Sequence, residues 1–463
     1  MENRGLDPVP DDERTGRVRS LLTTWATANM TVLLLTVGAG LTVFDGLNFW
    51  QALVVGVVAP VLSFGLVGLV SVAGKRGGAP GMALSRAVFG QRGNLFPGAL
   101  LWVSRWGWES INAVTGSYAL LAVLDLTLGV RKSTEQVLVT LTAFVGAGFL
   151  VSGLGIRALR VCSRISTCLF GAASLLVLVH LTVTSPWASV VARPPGETAL
   201  MTAGIGTLAA GGISWAPSAP DFTRYLPRSS SAVAMVGAAV GGALVVVLPL
   251  VMMGAVMAVG APGLASTKDP VAFIGELLPR WIAVPYLLTA VVGMMLINSM
   301  SLYSAGFTAQ TLGLTLPRAW AVGVNAAVSL LLGGLLMVVA ESFIGTFLSF
   351  LTLLGVTFSA WIGVFGVDLL RGRTYDTVSL MDTGPGGGYW YSAGFSGQAM
   401  GAWGAGLVVG LLLTEVEWFT GPLASTWVGR DGLGWAVTIL VSGGLYAVLP
   451  RPAGPSSEAG QRP

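Results

Sequence analysis

The sequence predicts an all-α integral membrane protein of about twelve transmembrane helices. Composition points there first: of 463 residues, 54% are hydrophobic and only 10% charged, and the mean hydropathy is +0.77. So few charges cannot supply the polar surface that a water-soluble globule of this size needs. Apolar runs long enough to cross a hydrocarbon core of roughly 30 Å, about 20 residues each as helix, recur from residue 20 to residue 450. One of these runs breaks over two prolines in WAPSAPDFTRYLP, from Trp215 to Pro227. Helix breakers are tolerated at membrane depth where the freed backbone groups face a cavity or a neighbouring helix.

The spans are expected at about residues 20–44, 48–74, 95–124, 134–155, 163–185, 199–219, 232–259, 279–313, 318–338, 343–369, 392–414 and 432–450. Residues 1–19 carry Asp7, Asp11, Asp12 and Glu13 and lack the apolar core of a cleaved signal peptide, so they read as a cytoplasmic tail. The first span holds Asn29 and Thr31 amid apolar residues, and the sixth holds Pro217 and Pro220. These interruptions occupy matching positions in two five-helix halves, residues 20–185 and 199–370, as in an inverted repeat. A cytoplasmic loop at 371–391, glycine-rich from Gly384 to Gly388, sets off two additional helices at 392–450, and 451–463 form a second cytoplasmic tail. Broken helices paired in this way are where secondary transporters bind their cargo, which makes transport the first functional expectation.

Cytoplasmic loops retain lysine and arginine. With the amino terminus inside, most of the 25 fall on the inner side, among them Arg4, Arg14, Arg17, Arg19, Lys75, Arg76, Arg86, Arg92, Arg224, Arg228, Arg371, Arg373, Arg451 and Arg462. The outer side keeps Arg131, Lys132, Arg193, Lys268, Arg280 and Arg430. Both termini are therefore expected in the cytoplasm of a cell in whose plasma or inner membrane the chain sits. The net charge of +4 follows from this topology, and no basic face for nucleic acid is formed. The single His180 and the two cysteines, Cys162 and Cys168, offer neither a metal-ligand set nor a histidine-based triad, which argues against an enzyme.

Span three is chemically the densest. Arg105, Trp108, Glu109, Asn112 and Gly116 recur at three- and four-residue steps and share one helix face. Arg105 and Glu109, four residues apart, can neutralise each other as a bridge, or Glu109 can carry a coupling proton. Trp108 beside Asn112 can form one wall of an aromatic slot with an amide at its edge. Span eight is wet on two sides, with Asn298, Ser301, Ser304 and Thr308 on one face and Ser299, Tyr303 and Gln310 on another. Hydroxyls, amide oxygens and backbone carbonyls suit a small hard cation. A channel would need a continuous polar pore, whereas these groups cluster at mid-membrane in a few spans.

Four segments together resemble the nucleobase:cation symporter-1 family, nearest its purine and cytosine permease branch. They are SRAVFGQRGN from Ser85 to Asn94, GWESIN from Gly107 to Asn112, PDFTRYLP from Pro220 to Pro227, and Leu302-Tyr303-Ser304. The resemblance implies the leucine-transporter-type fold, with ten core helices in two inverted repeats and two more. It implies a planar heterocycle stacked against Trp108, read by Asn112, and faced by a second wall at Trp215 or, if the helix is offset by a turn, at Gly212; Ser304 stands at a substrate-contact position. It also implies a sodium-type site formed near Ala26 and Asn29 of the broken first helix and Asn298 and Ser299 of span eight. The expected activity is symport of a nucleobase-like compound (cytosine, a purine, a hydantoin or an allantoin-like heterocycle), driven by sodium or by protons, with no organic cofactor and membrane lipid as the surrounding partner.

Overall fold

The computed structural model describes residues 5–152, 155–267, 269–314, 318–338 and 343–451. Arg4, Lys268, Arg462 and residues 452–463 of the expected tail lie outside the described residues.

The first expected span is two helices, α1 (Ser20–Thr27) and α2 (Leu33–Val43). Asn29 and Thr31 make the break: Asn29 Nδ2 donates to Trp25 O at 2.8 Å and Thr31 Oγ1 accepts from Leu33 N at 3.3 Å, so side chains satisfy the backbone groups that the missing turn frees. Then come α3 (Phe49–Gly77), opened by a reciprocal Asn48–Gln51 cap, α4 (Gly81–Phe89), α5 (Leu95–Leu128), α6 (Thr134–Ser152), α7 (Gly155–Thr184) and α8 (Trp187–Ala192). The sixth span also breaks as expected, into α9 (Thr198–Ile213), a single 3-10 turn at Ala216–Ser218 and α10 (Ala219–Thr223). Pro217 and Pro220 have no N–H to continue the ladder there.

The chain continues through α11 (Ala232–Gly260), α12 (Gly263–Ser266), α13 (Pro270–Leu277), α14 (Arg280–Thr311), α15 (Arg318–Val338), α16 (Phe343–Leu370), α17 (Thr377–Met381) and α18 (Gly397–Leu412). A short hairpin, β1 (Glu415–Val416) and β2 (Phe419–Thr420), and α19 (Trp427–Arg430) lead to α20 (Gly434–Val448). Eight described helices are long and apolar enough to cross a membrane, and α2, α18, α20 and Gly323–Met337 of α15 are shorter apolar helices.

Two pairings position the site. The polar helix α5 packs along α14, and α2 crosses α11 so closely that a Cβ at Gly38 would lie 2.0 Å from Val251 O and one at Gly254 1.9 Å from Leu35 O. The terminal pair α18 and α20 docks on α16, where the buried Asp368 accepts from Arg373 at 2.5 and 2.8 Å and from Tyr446 Oη at 2.9 Å. Side chains such as Leu150, Val183 and Val233 remain exposed, as lipid-facing residues are.

Residues 5–19 are hydrogen-bonded to the ends of α3 and α10, with Val9 and Arg14 buried. Val9 N donates to Gly78 O and Arg14 to Val9 O and Lys75 O, each at 2.9 Å, while Arg224 Nη1 donates to Gly5 O at 2.9 Å. The SRAVFGQRGN segment is likewise a clamp: Arg86 donates to Leu380 O and Thr311 O at 3.1 Å, and Ser85 Oγ accepts from Trp361 Nε1 at 3.0 Å.

Candidate functional site: a cavity at the two helix breaks

The α1–α2 break, α3, α5, the end of α9, α14 and α16 enclose a cavity of about 50 Å³. Asn29, Arg105, Trp108, Asn112, Gly212 and Trp215 all line it, so the structure gathers most of the residues singled out from sequence. Ser63, Ser301, Phe347 and Leu351 are among the further residues of the wall, and the sequence does not mark them as lining residues. Ser301 was legible only as part of the wet face of α14, and Phe347 is indistinguishable in sequence from a lipid-facing phenylalanine.

The two tryptophans differ. Trp108 Nε1 donates to Ser214 Oγ at 3.1 Å, and its ring is held edge-on by Phe347 and Phe350 at 6.1 and 5.7 Å. Trp215, only 6% exposed, has the Arg105 guanidinium over its ring at 4.7 Å and meets Trp25 and Phe222 edge-on at 6.3 Å. Gly212 lets α9 pass close to α3: a Cβ there would meet Ser63 Oγ at 2.4 Å.

The i, i+4 pairing of Arg105 with Glu109 is not formed. Arg105, 1% exposed, turns to the broken helix, donating from Nη2 to Ser218 Oγ at 2.6 Å and Ser214 O at 3.3 Å. Ser304 Oγ lies 2.7 Å from both Ser218 Oγ and Asp221 Oδ2. Having one proton, it donates to the carboxylate, and the Ser218–Ser304 bond then runs from Ser218. Arg105 is thus connected to Asp221 through two hydroxyls, a partner on the facing helix that spacing along α5 could not reveal. Asp221 Oδ1 accepts from Gly81 N at 2.8 Å. Ser304 is committed to this network and is not a lining residue of the cavity.

Glu109, 2% exposed, faces α14 instead: Oε1 accepts from Ser301 Oγ at 3.0 Å, while Oε2 has no partner. Glu109 lines a second cavity of about 20 Å³ with Asn298, Asn325 and Ser329. Asn298 Oδ1 accepts from Asn112 Nδ2 at 3.0 Å and its Nδ2 donates to Glu109 O at 3.2 Å. Both ends of the Asn298 amide thus bond α5, and its Oδ1 keeps a second lone pair. Of the other expected cation ligands, Ser299 Oγ donates to Met295 O at 2.9 Å, Ala26 O accepts from Asn29 N at 3.1 Å, and Asn29 lines the first cavity.

The family model described as "Permease for cytosine/purines, uracil, thiamine, allantoin" matches residues 8–431. YxlA of Bacillus subtilis (strain 168), named for the purine-cytosine permeases, is 25% identical over 478 residues, which cover 98% of this chain and 96% of YxlA. The purine-cytosine permease FCY22 of Saccharomyces cerevisiae is 25% identical over 275 residues, 58% of this chain and 49% of FCY22. In three dimensions the chain is similar to Mhp1, a nucleobase-cation-symport-1 family transporter solved in a closed conformation with bromovinylhydantoin bound, with a TM-score of 0.77, 18% identity and 96% and 94% of the two chains covered. It is also similar to MhsT in complex with L-phenylalanine, with a TM-score of 0.60 and 14% identity over 94% of this chain and 99% of MhsT. The likenesses to Mhp1 and MhsT show the fold, the leucine-transporter type with its broken helices. The chain belongs to the family of permeases for cytosine/purines, uracil, thiamine and allantoin.

Proposed function

We propose that the protein is a symporter that takes up a planar nitrogen heterocycle by alternating access, with cargo held in the cavity at the two helix breaks and both termini in the cytoplasm. The observation that carries this reading is the convergence of Trp108, Asn112, Asn29 and Arg105 on one enclosed volume. A flat polarisable ring needs an aromatic surface and matched edge groups, and this cavity supplies both. The names of YxlA, FCY22 and Mhp1 support the cargo class.

The coupling ion is a cation. The expected sodium site rests on the α1 break, Ala26 and Asn29, and on Asn298 and Ser299. A specific observation favours a second reading: Glu109 is a buried carboxyl with one oxygen unpartnered, and Ser301, which lines the cargo cavity, donates to the other oxygen. A charge left in that position is costly, and protonation relieves it. In proteoliposomes, Glu109→Gln is then expected to exchange cargo between equal pools but to lose accumulation driven by a pH gradient. Sodium-driven accumulation that survives Glu109→Gln unchanged returns the ion to the α1 break. Wild-type protein that accumulates no heterocycle under either gradient refutes the proposed function.

A further inference from the structure

We propose that Arg105 reads cargo carbonyl oxygens, so that the cargo is a neutral or weakly acidic oxo-heterocycle with alternating C=O and N–H groups along one edge, in preference to an amino-substituted or cationic one. This rests on the cargo class proposed above and narrows it.

Arg105 lines the cavity and is buried, and its Nε and Nη1 have no partner. A guanidinium cannot give up its charge or accept a hydrogen bond, so unpaired donors buried there call for acceptors from whatever fills the cavity. Its orientation is fixed by Ser218 and Ser214 on one side and the Trp215 face beneath, so the donors are preorganised.

The neighbouring amides supply the complementary half of the pattern. Asn112 gives one Nδ2 proton to Asn298, and Asn29 gives one to Trp25 O, which leaves each amide an Oδ1 to accept from cargo N–H groups beside its second N–H. Ser301 directs its proton to Glu109. Around the cavity Arg105 can only donate, while Asn112 and Asn29 are the amides that can accept. A ring edge of the form C=O, N–H, C=O meets both. A ring that presents an amino group toward Arg105 sets N–H against N–H, and a cationic ring adds charge repulsion.

The test is a matched ligand series on the full-length protein in nanodiscs: uracil against cytosine, and xanthine against adenine. The wild type is expected to bind each oxo compound at least about tenfold more tightly than its amino counterpart, since a mismatched buried polar group discriminates strongly. Arg105→Gln, which can present an amide oxygen as well as N–H groups, is expected to bring each ratio to within about threefold, and Arg105→Lys, which keeps only donors, to preserve the order of preference. If Arg105→Gln does not fold, the wild-type series and Arg105→Lys decide alone. Wild-type protein that binds cytosine or adenine as tightly as its oxo partner, or a folded Arg105→Gln with the wild-type ratios, overturns the inference while leaving the cargo class intact. Absence of binding by all four compounds overturns the cargo class itself.

Discussion

Asp221→Asn isolates the electrostatics of the site. In the native protein the Arg105 guanidinium reaches Asp221 through Ser218 and Ser304, and each of the two bonds to Ser304 is 2.7 Å long. The substitution preserves shape, and its Oδ1 still accepts from Gly81 N. At the other position an NH2 group replaces a carboxylate oxygen, so Ser304 must reverse its proton and Arg105 loses its counter-charge. Removing one member of a buried ion pair costs about 3–5 kcal/mol. Because two hydroxyls separate these partners, the lower end applies, about 3 kcal/mol. Pairing the change with Arg105→Gln should recover part of that loss, a coupling of about 1–3 kcal/mol, while the Arg105–Glu109 cycle should give about 0.5 kcal/mol or less. Unfolding in one fixed mixed micelle, followed by tryptophan fluorescence, measures both cycles. A strong Arg105–Glu109 coupling with none to Asp221 would refute the reasoning and restore the pairing along α5.

Trp108→Ala should abolish saturable uptake with normal membrane expression, because it removes the cavity wall that Phe347 and Phe350 hold in place. Trp215→Ala should instead lower thermal stability as well, since it uncovers Arg105, and equal stability of the two variants would contradict that distinction. Asp45, in the connection between α2 and α3, has its carboxyl pushed by burial from 3.8 up to about 6. Between roughly pH 4 and pH 6 the folded form holds the proton more tightly than the unfolded form, so this group's contribution to stability falls as pH rises through that window. Asp45→Asn should flatten that part of the stability profile and be more stable than wild type at neutral pH. Parallel wild-type and Asp45→Asn profiles would show that the side chain is hydrated.

The breaks were legible because their causes are local: Asn29, Thr31, Pro217 and Pro220 interrupt a helix wherever it is placed. The polar stripe of α5 was legible for the same reason, since i, i+3 and i+4 positions share a face. Partners across helices were not. Arg105 and Glu109 are neighbours on one helix, yet Arg105 is closer in chemistry to Ser218 and Ser304, and Glu109 to Ser301, because rotation of α5 against α14 and the broken helix decides which groups meet. The family resemblance implies Asn298 as a cation ligand, and what it could not give is that the same amide joins Asn112 to the Glu109 backbone. Residues 1–19 read as a cytoplasmic tail, and the hydrogen bonds that tie residues 9 and 14 to the backbone of Gly78 and Lys75 are encoded by no pattern in the tail itself.

Counterflow tests the central claim most directly. Proteoliposomes carrying the wild-type protein are loaded with an unlabelled oxo-heterocycle such as uracil, diluted into a trace of labelled uracil, and sampled over time. A carrier with cargo held at the helix breaks should draw label transiently above its equilibrium level, saturably, and Trp108→Ala should abolish the overshoot. Label that enters without an overshoot, at a rate linear in concentration and indifferent to Trp108→Ala, would contradict alternating access at this cavity.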